Sequence, residues 1–285
     1  MSDLGTSRAV LLTGATAGIG LATTQALAAR GFRVYAAARG GADKLAGTPG
    51  VHFVKLDVTD SGSVAAAVEE VRAQGETQLA GVVNNAGTIV QGPLELVPES
   101  ELRRQFEVNV LGPVRVTQAF LPLLREGRGR LVNITAGTAR LAVPFLAPIS
   151  ASKASVQSIS DALRLELRPW SIPVVVIEPG AMDTQIFTKA SDAAQQALAT
   201  ADPDRLALYR TQLDLVAASQ ANLKMSPPKI VADAIVKALT TGRPKPRYTV
   251  GPDVRLLGLL SRLSLRTRDR LITRMLGLHN VPAAG

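Results

Sequence analysis

The sequence predicts an α/β protein, a doubly wound parallel sheet in three α/β/α layers. It reads as a single domain over 1–285 with a helical lid inserted late in the chain. Three observations carry this. Continuous apolar runs alternate with helix-forming stretches through the first 180 residues, as expected of strands covered on both faces. A glycine-rich turn, TGATAGIG at Thr13–Gly20, joins the first strand to the first helix. Hydrophobic residues make up 46% of 285 residues and charged ones 19%, ample for a buried core.

The elements follow in order. RAVLLTG is a buried strand, and ATTQALAARG a helix stopped by Gly31. FRVYAAAR and VHFVKLDV are the second and third strands. SVAAAVEEVRAQG is a helix and LAGVVNNAG the fourth strand. ELRRQFEVNVLGPVRVTQAFLPLLREG reads as one long helix. GRLVNITAG, SASKASVQSISDALRLELRPW and PVVVIEPGAM give strand, helix and strand. Right-handed crossovers then wind the sheet on both faces. After Met182 the pattern changes. Residues 185–225 are Ala/Gln-rich with a break at Pro203, and read as a lid over the site. A helix, a Pro/Gly turn and a final strand follow. From Pro252, leucines at helical spacing (Leu256, Leu260, Leu263, then Leu271, Met275, Leu278) predict a basic amphipathic helix over 252–278.

Composition narrows the function classes. Cysteine is absent, so no thiolate acts as nucleophile or ligand. His52 and His279 lie far apart and neither has a ligand-spaced partner, so no metal site is expected. The apolar run Ala9–Leu12 is too short for a signal peptide or membrane span, which predicts a soluble cytoplasmic protein. The net charge is +9, and nine Lys/Arg between Arg243 and Arg274 face only Asp253 and Asp269. That segment is either a solvated face or a weak contact with an anionic membrane. Aromatics are only 4%, which argues against nucleic-acid binding.

The turn at Thr13–Gly20 carries the chemistry. Gly14 lets the chain turn tightly, Gly18 admits a pyrophosphate close to the backbone, and Gly20 lets the helix pack on the sheet. The helix N-terminus offers its free N–H groups to phosphates. The turn therefore predicts a Rossmann-like dinucleotide site. The second strand ends in Arg39 rather than an acid. Arginine pairs with a 2′-phosphate, so NADP is the expected cofactor, with NADPH preferred over NADH.

These motifs make the chain resemble the short-chain dehydrogenase/reductases. TGATAGIG is similar to their TGxxxGIG loop, and Asp57–Val58 to their adenine contact. NNAG at Asn84–Gly87, Asn109, Lys153 and EPGAMDT with Thr184 match further family positions. The likeness is close from Arg8 to Thr184. Arg39 and the leucine-rich basic C-terminus are similar to the hydroxysteroid and retinol dehydrogenase-like branch. The resemblance implies cofactor contacts at Thr13, Gly14, Thr16, Gly18, Ile19, Gly20, Arg39, Asp57, Val58, Asn85, Ala86, Gly87, Lys153, Pro179, Gly180 and Thr184. It also implies a homodimer or homotetramer paired through the helices Leu102–Arg125 and Ser152–Trp170, with Leu163 and Leu167 facing either a partner or the sheet.

The chain departs from the family at two positions. The family's serine falls at Ala136 and its tyrosine, four before the lysine, at Ile149. Asn109 and Lys153 remain of the catalytic set. Loss of a general acid costs about 10²–10⁴ in rate, and loss of an oxyanion donor about 10²–10³. The two do not simply add. Candidate substitutes are Thr135, Thr138, Ser150, Ser152 and Tyr209. Asp183 reads as an acid or base, or as a cap on the lid helix. The expected function is therefore hydride transfer to a C=N (iminium) or an activated C=C in a bulky hydrophobic substrate. Against the iminium stands the nearby Lys153 cation. The alternatives are a non-redox catalyst of cyclisation or addition, and a silent cofactor-binding relative.

Overall fold

Seven strands order the molecule: β1 (Ala9–Thr13), β2 (Arg33–Ala38), β3 (Val51–Lys55), β4 (Gly81–Asn84), β5 (Arg130–Ile134), β6 (Val174–Pro179) and β7 (Arg247–Val250). They form one parallel sheet in the order β3-β2-β1-β4-β5-β6-β7. The computed structural model describes residues 7–221 and 223–281. The start of the chain, which bears on the signal-peptide expectation, and residue 222 of the expected lid lie outside the described residues.

The strand order reverses direction between β1 and β4, where Val10 pairs with Gly81 and Leu12 with Val83. At such a switch point the connections leave on opposite sides and open a crevice at the carboxyl ends of the strands. One core lies between the sheet and the helices α2 (Ser61–Ala73), α4 (Gly112–Glu126) and α5 (Ala147–Glu166). The other lies under α1 (Gly18–Ala28) and α8 (Lys229–Thr240). Leu167 is buried in the first core and therefore faces it, and the half-buried Leu163 packs beside it.

Two helical stretches differ from the sequence reading, and the 185–225 stretch divides at its Pro203 break. The long helix after β4 is divided into α3 (Glu99–Phe106), a π-helical turn over Glu107–Leu111, and α4. Pro113 supplies the reason, because it has no N–H to donate and its ring crowds the carbonyl four residues back, at Asn109. The widened turn places Asn109 at the site, where π-bulges often occur. The 185–225 stretch is two helices, α6 (Gln185–Ala199) and α7 (Pro203–Ala221). Asp202 starts α7 by accepting the N–H groups of Asp204 (2.9 Å) and Arg205 (3.1 Å). The expected single helix over 252–278 is instead α9 (Pro252–Leu260) and α10 (Leu265–Met275). Ser264 stands at the N-cap of α10, with its hydroxyl 2.9 Å from that of Thr267. Serine favours such helix starts over helix interiors.

Candidate active site

The glycine turn is held by backbone contact with the end of β4. Gly14 has φ +65°, and a Cβ there would lie 2.9 Å from the Ala86 Cα. The Thr13 hydroxyl accepts the N–H groups of Asn85 (3.0 Å) and Ala86 (3.1 Å). Asn85 returns its side-chain amide to the carbonyls of Thr13 (3.0 Å) and Gly14 (3.2 Å). A Cβ at Gly20 would overlap the Gly14 carbonyl and lie 2.8 Å from the Asn85 Nδ2, so this glycine lets α1 close onto the ends of β1 and β4.

Helix α1 begins after Ala17, which has no side chain that can cap it. No side chain therefore competes for the first-turn N–H groups, which include those of Gly18 and Ile19. Such an end receives an anion. A Cβ at Gly18 would stand 2.9 Å from the Thr184 Cγ2, so Thr184 faces the loop across the crevice. Thr16 is already engaged, donating its hydroxyl to the Gly40 carbonyl at 3.0 Å. Arg39 is exposed just past β2. Asp57 is ordered by Thr59, whose N–H (2.9 Å) and hydroxyl (2.7 Å) both donate to it. The Thr59 N–H holds the Asp57 carboxyl below the usual range, and the charge of Arg39 adds to this. Val58 is buried and packs where Gly112 leaves no room for a side chain.

The crevice brings Gly87, Asn109 and Lys153 together. A Cβ at Gly87 would lie 3.4 Å from the Asn109 Oδ1 and 3.7 Å from the Lys153 Nζ. Lys153 donates to the Ile134 carbonyl at 2.8 Å. Burial lowers its pKa from 10.5 to about 8, although part of the side chain keeps contact with solvent. Ile149, one turn earlier on α5, is 6% exposed. Ala136 lies in extended backbone at φ −159°.

Asn109 spends its side chain on scaffolding. Its Oδ1 accepts the Thr88 N–H at 2.8 Å, and its Nδ2 donates to the Thr88 carbonyl (2.9 Å) and the Ser152 hydroxyl (3.3 Å). Gln105, one turn earlier, does the same work. It accepts the Val90 N–H at 2.6 Å and donates to the Thr88 carbonyl and to Ser152, both at 3.1 Å. Ser152 donates to the Ile149 carbonyl at 2.9 Å. Gln105 and Ser152 are fully buried. The sequence reading passed over Gln105. Its position four before Asn109, on the same helical face, was the available signal.

Of the substitute donors, Thr135, Ser152 and Tyr209 are engaged, whereas the buried Ser150 hydroxyl has no hydrogen-bond partner. Thr135 donates to the Ile177 carbonyl at 3.3 Å within the sheet. Ser150 and Ser152 are buried and not on the helix surface, because the first half of α5 packs into the protein. Thr138 lies partly exposed in a 3-10 turn after Ala136. Tyr209 donates its phenol to Glu95 at 2.8 Å and meets Phe145 edge-on. The Glu95 hydrogen bond raises its pKa. Asp183 is exposed, and Thr184, not Asp183, stands at the N-cap of α6. The Asp183 N–H pairs with the Ser226 carbonyl at 2.9 Å.

Two further features frame the site. Glu178 is fully buried at the end of β6 and pairs with Arg140, four residues past Ala136, and with Arg247 of β7 at 3.4 Å. Thr249 donates to the same carboxylate at 3.2 Å. These bonds pin the loop after β5 to the sheet. The segment leaving Thr88 runs into a narrow apolar cleft between Val90, Pro93, Leu96 and, on α6, Ala190, Ala194 and Leu198. The cleft adjoins the Lys153 face but is not lined by it.

Comparison with known proteins agrees with this architecture. Residues 8–195 match the model of the short chain dehydrogenase family. A 3-amino-tetrahydro-pyrrolizinone reductase from Xenorhabdus hominickii is 34% identical over 254 residues, covering 88% of this chain and 89% of that protein. An NADPH-dependent 3-dehydrocapnine reductase from Ornithobacterium rhinotracheale is 35% identical over 257 residues, covering 86% and 88%. A crystal structure of a short chain dehydrogenase from Burkholderia cenocepacia in complex with NADP superposes with TM-score 0.71 at 26% identity, covering 94% of this chain and 96% of that one.

Lys153 gives a pH signature of its own. Its folded-state pKa, about 8, lies below the unfolded value of 10.5. Between these values the unfolded chain holds the extra proton, so stability rises with pH. In thermal melts from pH 7 to pH 10, wild type should gain on Lys153→Met. A difference that stays flat across this range would mean that the lysine is not desolvated.

Proposed function

The chain belongs to the short-chain dehydrogenase family, and on that footing we propose that it binds NADP(H) in preference to NADH and reduces a C=N or activated C=C bond of a bulky apolar substrate without the family's serine–tyrosine pair. It is an oxidoreductase-like enzyme. One observation carries the finer reading. Lys153 lies beside Gly87 and Asn109, and the resemblance puts the hydrocarbon side chains of Ala136 and Ile149 at the serine and tyrosine positions.

The residues present fit the cofactor. The uncapped N-terminus of α1 suits a pyrophosphate, and Arg39 a 2′-phosphate. Thr184, Asn85–Gly87 and Lys153 line the remaining crevice in this reading. NADPH, when bound, supplies a hydride. Neither Ala136 nor Ile149 can hold or protonate an alkoxide, so ketone reduction is poorly served. An iminium carbon becomes a neutral amine and needs no proton. An activated C=C yields an enolate that takes its proton from solvent. Below pH 8 the Lys153 ammonium opposes an iminium, and above it the neutral amine does not. Iminium reduction should therefore improve as pH rises through about 8, a trend that enone reduction has no reason to share. The Xenorhabdus relative, named as a reductase of a 3-amino-tetrahydro-pyrrolizinone, supports a nitrogen-bearing substrate.

Assembly and surroundings belong to the same reading. Phe106, Leu111 and Leu165 are exposed on and beside α3, α4 and α5, which supports subunit pairing as a homodimer or homotetramer. Among the described residues no helix is long and apolar enough to cross a membrane. We place the protein in the cytoplasm, with weak contact to anionic membranes through the exposed Leu256, Leu259, Leu263 and Leu265 and the neighbouring Arg255, Arg262 and Arg266.

Deuterated NADPH tests the chemistry against a panel of cyclic iminium and enone substrates. Label in the product is expected. Product that forms only with protein and carries no label would favour the non-redox reading. The double variant Ala136→Ser with Ile149→Tyr should gain about 10²-fold or more in ketone reduction. NADPH binding without any such gain would mean that the serine and tyrosine positions are misplaced. Leu165→Glu should lower the mass seen by light scattering, and an unchanged mass would remove α5 from the interface. Sedimentation with phosphatidylglycerol vesicles should weaken in Leu256→Asp/Leu259→Asp, and no binding by wild type would end the membrane reading.

A further inference from the structure

We propose that Asp253, in the first turn of α9, is a positioning residue that clamps the Pro179–Thr184 segment over the glycine turn, so that the C-terminal helices set the shape of the cofactor crevice. For its consequence on binding this rests on the NADP reading above.

The contact is a built one. The Asp253 Oδ2 accepts the Ala181 N–H at 2.7 Å, across 72 residues of chain. The carboxylate lies flat on Gly180, where any Cβ would overlap both of its oxygens. Gly251, at φ +118°, brings Asp253 into place, and a Cβ there would stand 2.7 Å from the Asp253 Oδ1. The Gly180 N–H meanwhile donates to the Val250 carbonyl at 2.9 Å. Two successive N–H groups of the Pro-Gly turn are thus held by two residues of the β7–α9 corner. An acid in the first turn of a helix commonly serves its own N-terminus. Asp253 is instead directed at a different loop.

From Ala181 the constraint runs to Thr184, which meets Gly18 across the crevice. The same helical turn also supports the opposite wall. Val254 is 1% exposed, and with Leu257 it packs where a Cβ on Gly137 would lie 2.9 and 3.2 Å from their methyl groups. Gly137 follows Ala136 directly. One turn of α9 therefore holds both the segment carrying Thr184 and the segment carrying Ala136. Removing a hydrogen bond to a charged acceptor releases that hold without touching any group assigned to the reaction.

The test uses the full chain as Asp253→Ala and the gentler Asp253→Asn. In the cofactor-free protein, hydrogen exchange across 180–186 should speed up in Asp253→Ala, and less so in Asp253→Asn, which keeps an acceptor oxygen. NADPH affinity should then fall about tenfold on loss of one charge-assisted bond. Affinity for adenosine 2′-monophosphate, which has no 5′-phosphate and needs only the Arg39 side, should stay at the wild-type value. Unchanged exchange at 180–186 would overturn the clamp. So would an equal loss of both ligands, which would report general destabilisation. If wild-type protein binds neither ligand, the NADP reading has failed, and the exchange result alone decides the clamp.

Discussion

The contact on which the site depends is the backbone-to-backbone approach of the Gly14 turn to Ala86 at the β1–β4 switch point. Only a glycine with positive φ allows it. Thr13 and Asn85 then lock the two strand ends with four hydrogen bonds between them. This sets where α1 begins, and therefore where its uncapped N–H groups point. It also sets where the chain leaves β4, and so where Gly87 and Thr88 stand relative to Lys153.

Around that contact the protein uses buried polar groups as fasteners. Gln105 and Asn109 hold the backbone of Thr88 and Val90, and both converge on Ser152. Buried amides of this kind fix geometry because each lost bond leaves an unsatisfied group behind. Glu178 fastens the loop beyond Ala136 in the same way, through Arg140 and Arg247. In the reading proposed above, this frame would present a serine and a tyrosine, and it presents Ala136 and Ile149 in their place. That contrast, more than either substitution alone, directs the reading toward acceptors that need no protein proton.

Much of this was legible in the sequence, and the reason is local. Buried parallel strands write themselves as apolar runs, as AVLLT of β1 and VVVIEP of β6 do, while the half-buried β3 and β7 are less plainly marked. The glycine turn is legible because its spacing encodes a backbone shape. The break in the long helix was less so. Pro113 was visible, but whether it kinks, ends or widens a helix depends on tertiary support. The division of α9 from α10 rests on weak serine preferences that leucine spacing outweighed. Gln105 and Asp253 were missed because their partners are distant in sequence. A polar residue in a helix reads as surface until the fold buries it.

The account stands on the crevice holding NADP. The measurement that addresses this most directly is a fluorescence titration of the full chain with NADPH, with NADH alongside. Micromolar binding that favours NADPH is the predicted result, from the α1 N-terminus and Arg39 acting together. No binding of either nucleotide would contradict it, and would leave a family fold whose crevice has been turned to another purpose.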